Sequence, residues 1–321
     1  MKFFTSFGKA VLLASAVLVI TLPAISQISL RNAMDADGDG KADFMVFRPD
    51  GGLWWRYFSG DGSFSVQQFG SANQDFMTPG DYDGDGKGDI AIWRDTDGVW
   101  WWFRSSDNTV NAVQFGATGD EPVARDYDGD GKTDHAVVRR VNGEMIWYIL
   151  RSTDLGYQAG QFGASTDFVA PGDYDGDGKF DLAIQRPGPT PTSPATWFIS
   201  LSSGGFSIFQ FGISTDLIVP GDYDGDGKTD VAVVREGPTP DSPLIWFILQ
   251  SSNGEALVYQ WGVTGTDLTV QNDYDGDGKT DVAVWRDTDG TFYVRNSSTG
   301  TMSVFQWGSP SDFPIAGYDT H

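Results

Sequence analysis

One nine-residue pattern recurs six times and constrains the fold of this chain more than any other feature. Each copy reads Asp-x-Asp-Gly-Asp-Gly-Lys-x-Asp, and the copies begin at Asp35, Asp81, Asp126, Asp173, Asp222 and Asp273. The intervals between them are 46, 45, 47, 49 and 51 residues. A fixed period of this size is the signature of a repeat architecture, in which neighbouring units stack to bury a continuous core.

The residue types in each copy point to a metal site. Positions one, three, five and nine supply carboxylate oxygens, position seven can add its backbone carbonyl, and Gly at position six allows a sharp turn. This is the ligand order of an EF-hand calcium loop, cut short. The predicted ligands are Asp35, Asp37, Asp39, Lys41 and Asp43; Asp81, Asp83, Asp85, Lys87 and Asp89; Asp126, Asp128, Asp130, Lys132 and Asp134; Asp173, Asp175, Asp177, Lys179 and Asp181; Asp222, Asp224, Asp226, Lys228 and Asp230; and Asp273, Asp275, Asp277, Lys279 and Asp281.

The residues around each loop argue against an EF-hand pair and against other metals. Position twelve lacks the bidentate Glu of an EF-hand, and the apolar, β-branched residues after position nine predict a strand rather than a helix. The chain has no Cys, and its two His are His135 and His321, which disfavours zinc and copper. Metal-free acidic turns would explain one copy better than six. We therefore predict up to six Ca²⁺ ions in a mainly structural role, with direct contact between calcium and a bound ligand as the alternative.

Each unit carries the signals of four strands. An apolar strand ending in Arg follows the loop, at residues 44–48, 90–94, 135–139, 182–186, 231–235 and 282–286. An aromatic strand comes next, then a polar turn and a strand ending in Phe-Gly or Trp-Gly, and a short segment enters the next loop. Four-stranded sheets repeated at this period predict a β-propeller, whose blades cannot bury their faces alone.

The aromatic strand begins with two large rings in every unit. The pairs are Trp54-Trp55, Trp100-Trp101, Trp147-Tyr148, Trp197-Phe198, Trp246-Phe247 and Phe292-Tyr293. Because successive strand residues point to opposite faces, both faces of the sheet carry a ring. A sheet packed between two like sheets accounts for this, and we expect at least ten of the twelve rings to lie in the core.

We predict an all-β fold, a six-bladed β-propeller of four-stranded antiparallel blades formed by residues 35–321 as one domain. Its repeats are 35–80, 81–125, 126–172, 173–221, 222–272 and 273–321. The first unit lacks a good strand before its metal loop, and residues 312–318 match that missing strand. The C-terminal strand is therefore expected to pair into the first blade and close the ring, which removes the exposed edges of an open array.

Residues 1–26 are predicted to be a signal peptide, followed by a lead-in at residues 27–34. Lys2 and Lys9 flank the start, residues 10–20 are apolar, and residues 24–26 offer a small-residue cleavage site. An uncleaved anchor is the alternative, although Thr21, Pro23 and the residues after it weaken that span. Export would place the loops in millimolar calcium, at the cell surface, outside the cell or in the periplasm. There, metal sites can supply the stability that disulfides give other exported proteins.

The acidic charge of the chain belongs to the loops. The net charge is −23 and the six loops hold 24 Asp, so they account for the whole acidic excess. This composition predicts that the chain binds cations. It offers no basic face for nucleic acid, and we expect no nucleic-acid partner.

The loop, the apolar strand after it and the Phe-Gly before the next loop resemble the FG-GAP, or VCBS-type, repeat. That family builds the calcium-bearing propeller of integrin alpha chains, and many exported bacterial proteins look similar. The resemblance covers about residues 35–318 and implies adhesion or ligand binding, including lectin-like members, with calcium on the loop residues named above. The six units found here differ from integrin-like members, which close with seven.

Three functions follow from these patterns. A binding or adhesion module for a glycan or a protein is favoured, and a structural subunit of a surface assembly, which self-associates, is the alternative. An enzyme is disfavoured, because the four Glu and two His recur at no matched positions and offer no visible nucleophile–base or paired-carboxylate site.

Two further features bear on ligand binding. Arg48, Arg94, Arg139, Arg186, Arg235 and Arg286 end the second strand of each unit, and Asp75, Asp120, Asp167, Asp216, Asp267 and Asp312 recur in step with them. Six Arg–carboxylate pairs are the plainer interpretation, and a ring of Arg around an anionic ligand is the other. Pro-rich linkers at residues 187–194 and 237–243, with the turns into each next blade, form a candidate recognition surface opposite the metal loops, or merely stiff turns.

Overall fold

The computed structural model describes residues 33–316, and every helix or strand in that range is a β-strand. The predicted signal peptide, residues 27–32 of the lead-in, and residues 317–321 with His321 lie outside the described residues. Between residues 33 and 316, the structure contains no helix long and apolar enough to cross a membrane.

Twenty-four strands alternate with tight turns along the described chain. They are β1 Phe44–Arg48, β2 Leu53–Tyr57, β3 Phe64–Gln68, β4 Asp75–Met77, β5 Ile90–Arg94, β6 Val99–Phe103, β7 Val110–Gln114, β8 Glu121–Pro122, β9 His135–Val141, β10 Glu144–Leu150, β11 Tyr157–Ala164, β12 Phe168–Val169, β13 Leu182–Arg186, β14 Pro194–Ser200, β15 Phe206–Ile213, β16 Leu217–Ile218, β17 Val231–Arg235, β18 Pro243–Leu249, β19 Ala256–Val263, β20 Asp267–Thr269, β21 Val282–Arg286, β22 Thr291–Arg295, β23 Met302–Gln306 and β24 Phe313–Pro314. The predicted strands after the loops begin and end where the structure has them, except that β9 runs two residues further.

These strands form six four-stranded antiparallel sheets, which are the blades of a β-propeller. The orders are β24-β1-β2-β3, β4-β5-β6-β7, β8-β9-β10-β11, β12-β13-β14-β15, β16-β17-β18-β19 and β20-β21-β22-β23. We number these blades one to six in this order. Each blade takes its first strand from the end of the preceding repeat. In blade one, that strand is β24, which pairs with β1 through Val46 opposite Pro314, so the predicted closure of the ring is confirmed.

The core consists of layers between neighbouring blades. The first ring of each aromatic pair is at most 1% exposed, as in Trp54, Trp147 and Phe292. The second ring is half-buried in every blade and packs against a core cluster, so the expectation of at least ten core rings is confirmed, with six of the rings fully buried. In five blades an Arg guanidinium also lies over the second ring; Arg235, for example, lies 4.6 Å from the ring centre of Phe247.

The glycine of each Phe-Gly or Trp-Gly lets blades approach closely. Gly212 has a φ of +77°, and a Cβ there would lie 3.1 Å from Val233 of the next blade. The carbonyl of the residue before the glycine accepts a hydrogen bond from a buried indole of the same blade, as in Trp246 Nε1 to the Trp261 carbonyl at 2.9 Å. Each repeat therefore needs a bulky ring followed by a glycine. The ring packs in the core, and the glycine leaves room for its close neighbours.

The two edges of every blade have different surroundings. Residues in or next to the first strands of blades one to five surround a cavity on the ring axis, whose lining includes Met77, Val123, Val169, Ile218 and Ala316. The fourth strands form the outer rim, where alternate residues are exposed, as in the pattern of β3 and β23. Loops two to six join the first strand of a blade to its second strand, and the first loop leads into β1, the second strand of blade one, so all six lie at one end of the axis.

Candidate metal centres

The chain closes each acidic loop at its base by a backbone bridge. The N–H of the Asp at position nine donates to the carbonyl of the residue just before position one, for example Asp230 to Gly221 at 2.7 Å. The equivalent bond in the first loop joins Asp43 to Met34, also at 2.7 Å. This bridge continues the pairing of first and second strands, so the strands on either side hold the ends of every loop.

Within the loops, carboxylates gather in the way a cation needs. Three aspartates offer oxygens within 4.8 Å of one another in each of five loops: Asp35, Asp37 and Asp39; Asp81, Asp83 and Asp85; Asp126, Asp128 and Asp134; Asp173, Asp175 and Asp181; and Asp222, Asp224 and Asp226. Oxygen-only ligands of this kind suit a hard cation such as calcium. The structure thus brings together predicted residues from positions one, three, five and nine.

Backbone hydrogen bonds orient the carboxylates at positions one and nine. Asp222 accepts bonds from Gly225 and Gly227 at 2.6 and 2.9 Å. Asp230 accepts from Tyr223 at 2.9 Å and from Ser251 at 2.6 Å, which ties the loop to the turn between the third and fourth strands. The predicted Lys at position seven uses its backbone N–H in the same network, as Lys228 donates to Asp226 at 2.9 Å.

Burial sets the electrostatics of the loops. At position nine, burial raises the pKa of Asp43, Asp89, Asp134, Asp181, Asp230 and Asp281 to about 7. At position one, burial raises the pKa of Asp81, Asp126 and Asp222 to about 6, while hydrogen bonds from the loop glycines oppose the rise. Buried carboxylates that repel one another are stabilised when a divalent cation neutralises them.

A ring of backbone hydrogen bonds joins all six loops. The N–H of the residue at position eight donates to the carbonyl of position one in the preceding loop, at 2.6–2.8 Å. The six bonds run from Ala42 to Asp273, Gly88 to Asp35, Thr133 to Asp81, Phe180 to Asp126, Thr229 to Asp173 and Thr280 to Asp222. The first loop therefore bonds to the sixth, and each predicted metal ligand at position one also holds its neighbour.

The lysine at position seven adds a second contact between loops. Its side chain crosses the glycine at position four of the preceding loop, as Lys279 does at Gly225, where a Cβ would lie 2.9 Å from the lysine Cε. Lys41 lies over Gly276 in the same way and continues the contact across the point of closure. The recurrence of Lys and Gly in all six copies thus serves packing between loops as well as the turn itself.

Sequence reasoning missed two partners of the loops. Hydroxyls in the turn between the third and fourth strands donate to positions three and five, as Ser252 does to Asp224 and Ser251 to Asp226, at 2.6 and 2.9 Å. Tyr at position two donates to a carbonyl just after the first strand, as Tyr223 does to Val219 at 2.7 Å. The signals were available in the sequence, because a Ser-Ser or Ser-Thr pair recurs in five of these turns and Tyr in five loops.

In the second loop, an arginine side chain pairs with one of the predicted metal ligands. Arg104 Nε lies 3.0 Å from Asp83 Oδ2, and the carboxylate of Asp83 is 3% exposed. An arginine that pairs with the aspartate at position three competes with a metal ion for the same oxygens. Arg104 therefore offsets part of the negative charge of this predicted calcium site.

A family model confirms what the loops and blades indicate. The model described as an FG-GAP-like repeat matches residues 35–92, which contain the first loop, most of blade one and the second loop. The same loop and strands recur in the remaining units of the closed ring. The chain is a six-bladed β-propeller whose first repeat matches an FG-GAP-like repeat.

Solved structures share this propeller's fold at low sequence identity. TolB from Acinetobacter baumannii matches with a TM-score of 0.54 and 15% identity, covering 85% of this chain and 63% of that one. A mutant of AofleA from Arthrobotrys oligospora, in which arginines are replaced by alanine, matches with a TM-score of 0.55 and 12% identity, covering 85% of this chain and 84% of that one. This chain thus spans less than two thirds of the TolB chain. No curated protein matches it in sequence.

At the end of the propeller opposite the loops, the six predicted Arg–Asp pairs are confirmed. The bonds are Arg48–Asp312, Arg94–Asp75, Arg139–Asp120, Arg186–Asp167, Arg235–Asp216 and Arg286–Asp267, at 2.7–2.8 Å. Each is bidentate, as in Arg235 Nε and Nη2 on the two oxygens of Asp216. Five of these arginines also lie over the second aromatic ring of the same blade, so they link the first three strands within each of those blades.

His135, one of the two histidines weighed as a metal ligand, lies in the core of the propeller. It is 9% exposed and packs against Tyr82, Trp100 and Trp102 at ring distances of 5.0–5.2 Å. Burial lowers its pKa to about 3. Its role in the described structure is packing, in a position that apolar residues take in the other blades.

Proposed function

We propose that this chain is an exported calcium-binding β-propeller that acts as a binding or adhesion module for a glycan or a protein. Calcium has a mainly structural role in this proposal. The observation that carries it is the closed ring of loop-to-loop hydrogen bonds, because an ion bound in one loop would stiffen both of its neighbours. The export of the chain is inferred from its N-terminal sequence.

The end opposite the loops supplies a firm surface for recognition. Both Pro-rich linkers are fixed to the turn into the next blade: Gly188 N–H donates to Ser214 Oγ at 2.7 Å, and Gly237 N–H donates to Thr264 Oγ1 at 2.9 Å. Inside the first linker, the hydroxyls of Thr190 and Ser193 share a hydrogen bond at 2.7 Å. Ordered loops on a rigid scaffold lower the entropic cost of binding. We therefore place the recognition surface here and propose no catalytic role.

A panel of glycans, polysaccharides and candidate proteins tests this function. Residues 27–321 would be screened in calcium and again in chelator, with thermal melting recorded under both conditions. We expect binding that is lost only when the fold melts. Calcium-dependent binding by a chain that stays folded in chelator would instead put the metal at the ligand site. Absence of binding across the whole panel would refute the module.

One observation favours a second function, a subunit of a surface assembly. Outer strands expose large apolar side chains at their free edges: Phe64 is 62% exposed, Phe206 71% and Ile208 63%. An exposed edge strand with apolar residues pairs readily with another chain. Sedimentation velocity over a wide concentration range tests this. Self-association that Phe206→Ser with Ile208→Ser weakens supports the assembly, and a monomer at every concentration excludes it.

A further inference from the structure

The ring axis of the propeller contains a cavity of about 360 Å³. Residues in or next to the first strands of blades one to five line it, which places it at the centre of the ring, and none of its lining residues is a predicted metal ligand. Small-molecule sites in proteins typically measure about 300–1,000 Å³ and combine an apolar lining with a few polar groups. The size of this cavity falls at the lower end of that range.

Most of the cavity wall is apolar and partly open to solvent. The residue after the Asp of each Arg–Asp pair lies in the first strand of a blade, and in five blades it is apolar: Phe76, Phe168, Leu217, Leu268 and Phe313. Phe76 and Phe168, which line the cavity, are 47% and 49% exposed. Exposed rings directed at a common axis form a surface that gains free energy when an apolar molecule covers it.

Blade three supplies the polar wall. Its first strand carries Glu121 where the other blades have an apolar residue, and the residue before its loop is Arg125, where the others have Gly, Met or Asn. Both residues line the cavity. The Arg125 guanidinium donates to the Ala124 carbonyl at 2.5 Å, and its five N–H donors allow it to serve more than one acceptor. The cavity is therefore amphipathic, with its charge concentrated on one side.

The acidic groups of the lining are already paired with arginines. Arg140 neutralises Glu121 through bonds of 2.7 and 3.1 Å, and Arg235 neutralises Asp216 at 2.8 Å. Arg125 adds a further positive charge to the described lining. In addition, the Thr78 side chain lines the cavity, and its buried hydroxyl has no hydrogen-bond partner among the described residues. The Arg125 guanidinium and the Thr78 hydroxyl can both donate hydrogen bonds to an anionic head group.

We propose that the axial cavity binds a small amphipathic organic anion, with its apolar body against the rings of blades two and four and its anionic group on Arg125. Neither half of this assignment depends on what the outer surfaces of the propeller bind. It adds a small-molecule site to the proposed adhesion module. Uncompensated carboxylates in the loops would repel an anion, so binding is strongest when calcium reduces their negative charge.

Two dyes with the same apolar body test the proposal. 8-Anilinonaphthalene-1-sulfonate carries an anionic group, and N-phenyl-1-naphthylamine lacks it. Fluorescence titrations of residues 27–321 in saturating calcium would give the Kd and stoichiometry of each dye. We expect one site, with the sulfonate bound about tenfold more tightly, because a hydrogen bond to a charged group contributes about that factor.

Three variants separate the two halves of the site. Arg125→Gly introduces the residue found at Gly80, Gly172 and Gly221, and it should remove the preference for the sulfonate while the neutral dye binds as before. Phe168→Ser should weaken both dyes about fivefold or more by removing apolar contact. Arg151→Gln, which changes an exposed arginine outside the cavity lining, should alter neither.

Unchanged binding of the neutral dye shows that Arg125→Gly is folded, so a failure to fold cannot imitate the expected result. The proposal is overturned if the sulfonate keeps its preference in Arg125→Gly, or if Phe168→Ser leaves both dyes unaffected. It is also overturned if either dye fails to bind the unmodified chain. None of these results bears on the glycan and protein panel, which tests the outer surface.

Discussion

At the scale of single residues, each aspartate of a loop has more than one task. Asp226, at position five, accepts hydrogen bonds from the Lys228 backbone and the Ser251 hydroxyl, and its carboxylate is grouped with Asp222 and Asp224. Hydrogen bonds alone leave the charge of three close carboxylates unbalanced. The arrangement is therefore more stable with an ion than without one.

Replacing one such ligand should remove one calcium ion. We expect Asp226→Ala to bind one fewer calcium per chain than the unmodified protein, because the fifth loop loses a carboxylate from its central group. Calorimetric titration and elemental analysis after desalting would measure this. Asp241→Ala, in an exposed Pro-rich linker, is the matched control and should bind the full number. Equal stoichiometry in both variants would show that the loop holds no ion.

The Arg–Asp pairs show how far single residues can be predicted. Their partnership follows from two sequence series that recur in step, and the structure confirms it. The half-burial of the second aromatic ring could not be predicted, because strand alternation tells which face a ring occupies and not what covers it. The covering group is the same arginine, whose pairing distance and stacking distance both depend on the curvature of the blade.

Breaking one pair should destabilise the fold. In Arg235→Gln, the Asp216 carboxylate, 0% exposed, keeps the Ile213 N–H but loses its cation. We expect unfolding by urea to show a loss of about 1–3 kcal/mol, the cost of a buried acceptor left unsatisfied. Arg151→Gln breaks an exposed pair with Asp154 and should leave the unfolding curve unchanged. If Arg235→Gln abolished ligand binding without altering the unfolding curve, the pairs would be a binding ring instead.

At the scale of elements, the loops and strands form one continuous system. The residue before a loop lies against position eight of the next loop, so Gly221 faces Thr280. The sequence shows this Gly and Thr in several units, yet the contact joins residues about sixty positions apart in neighbouring blades. The periodicity of the sequence shows what each unit contains. Which residues of two neighbouring units come into contact depends on the rotation between the units, and sheet packing determines that rotation.

A methyl group at that contact tests its tightness. A Cβ on Gly221 would lie 2.7 Å from Thr280 Oγ1 and 2.9 Å from its Cγ2. Gly221→Ala should therefore destabilise the fold by about 1–3 kcal/mol, as overpacking does elsewhere. Gly160→Ala, on β11, meets nothing within 4 Å and should cause no loss. Chemical denaturation of both variants in calcium would compare them, and equal stability would mean that the loops are not in tight contact.

At the scale of the whole molecule, the sequence predicts the architecture but not how the blades differ around the ring axis. Six copies of one unit and an additional strand after the last copy are enough to predict the number of blades, the strand order and the closure of the ring. The axial cavity could not be located in advance, because its lining comes from segments of five blades that are far apart in the chain. Its polar wall does have a signal, since Glu121 and Arg125 depart from their counterparts in the other units.

Because hydrogen bonds join all six loops into a ring, calcium should act on the molecule as a whole. Removing it with a chelator should lower the melting temperature and leave a single transition, since no blade can loosen without its neighbours. A site that is about 99% occupied stabilises the native state by about 2.7 kcal/mol, so calorimetry across a calcium series should show a graded rise. Magnesium is the control and should replace calcium poorly, because it requires a smaller octahedral site and dehydrates reluctantly. A melting temperature unaffected by chelator would refute the structural role, and separate transitions would show that the loops bind independently of the ring.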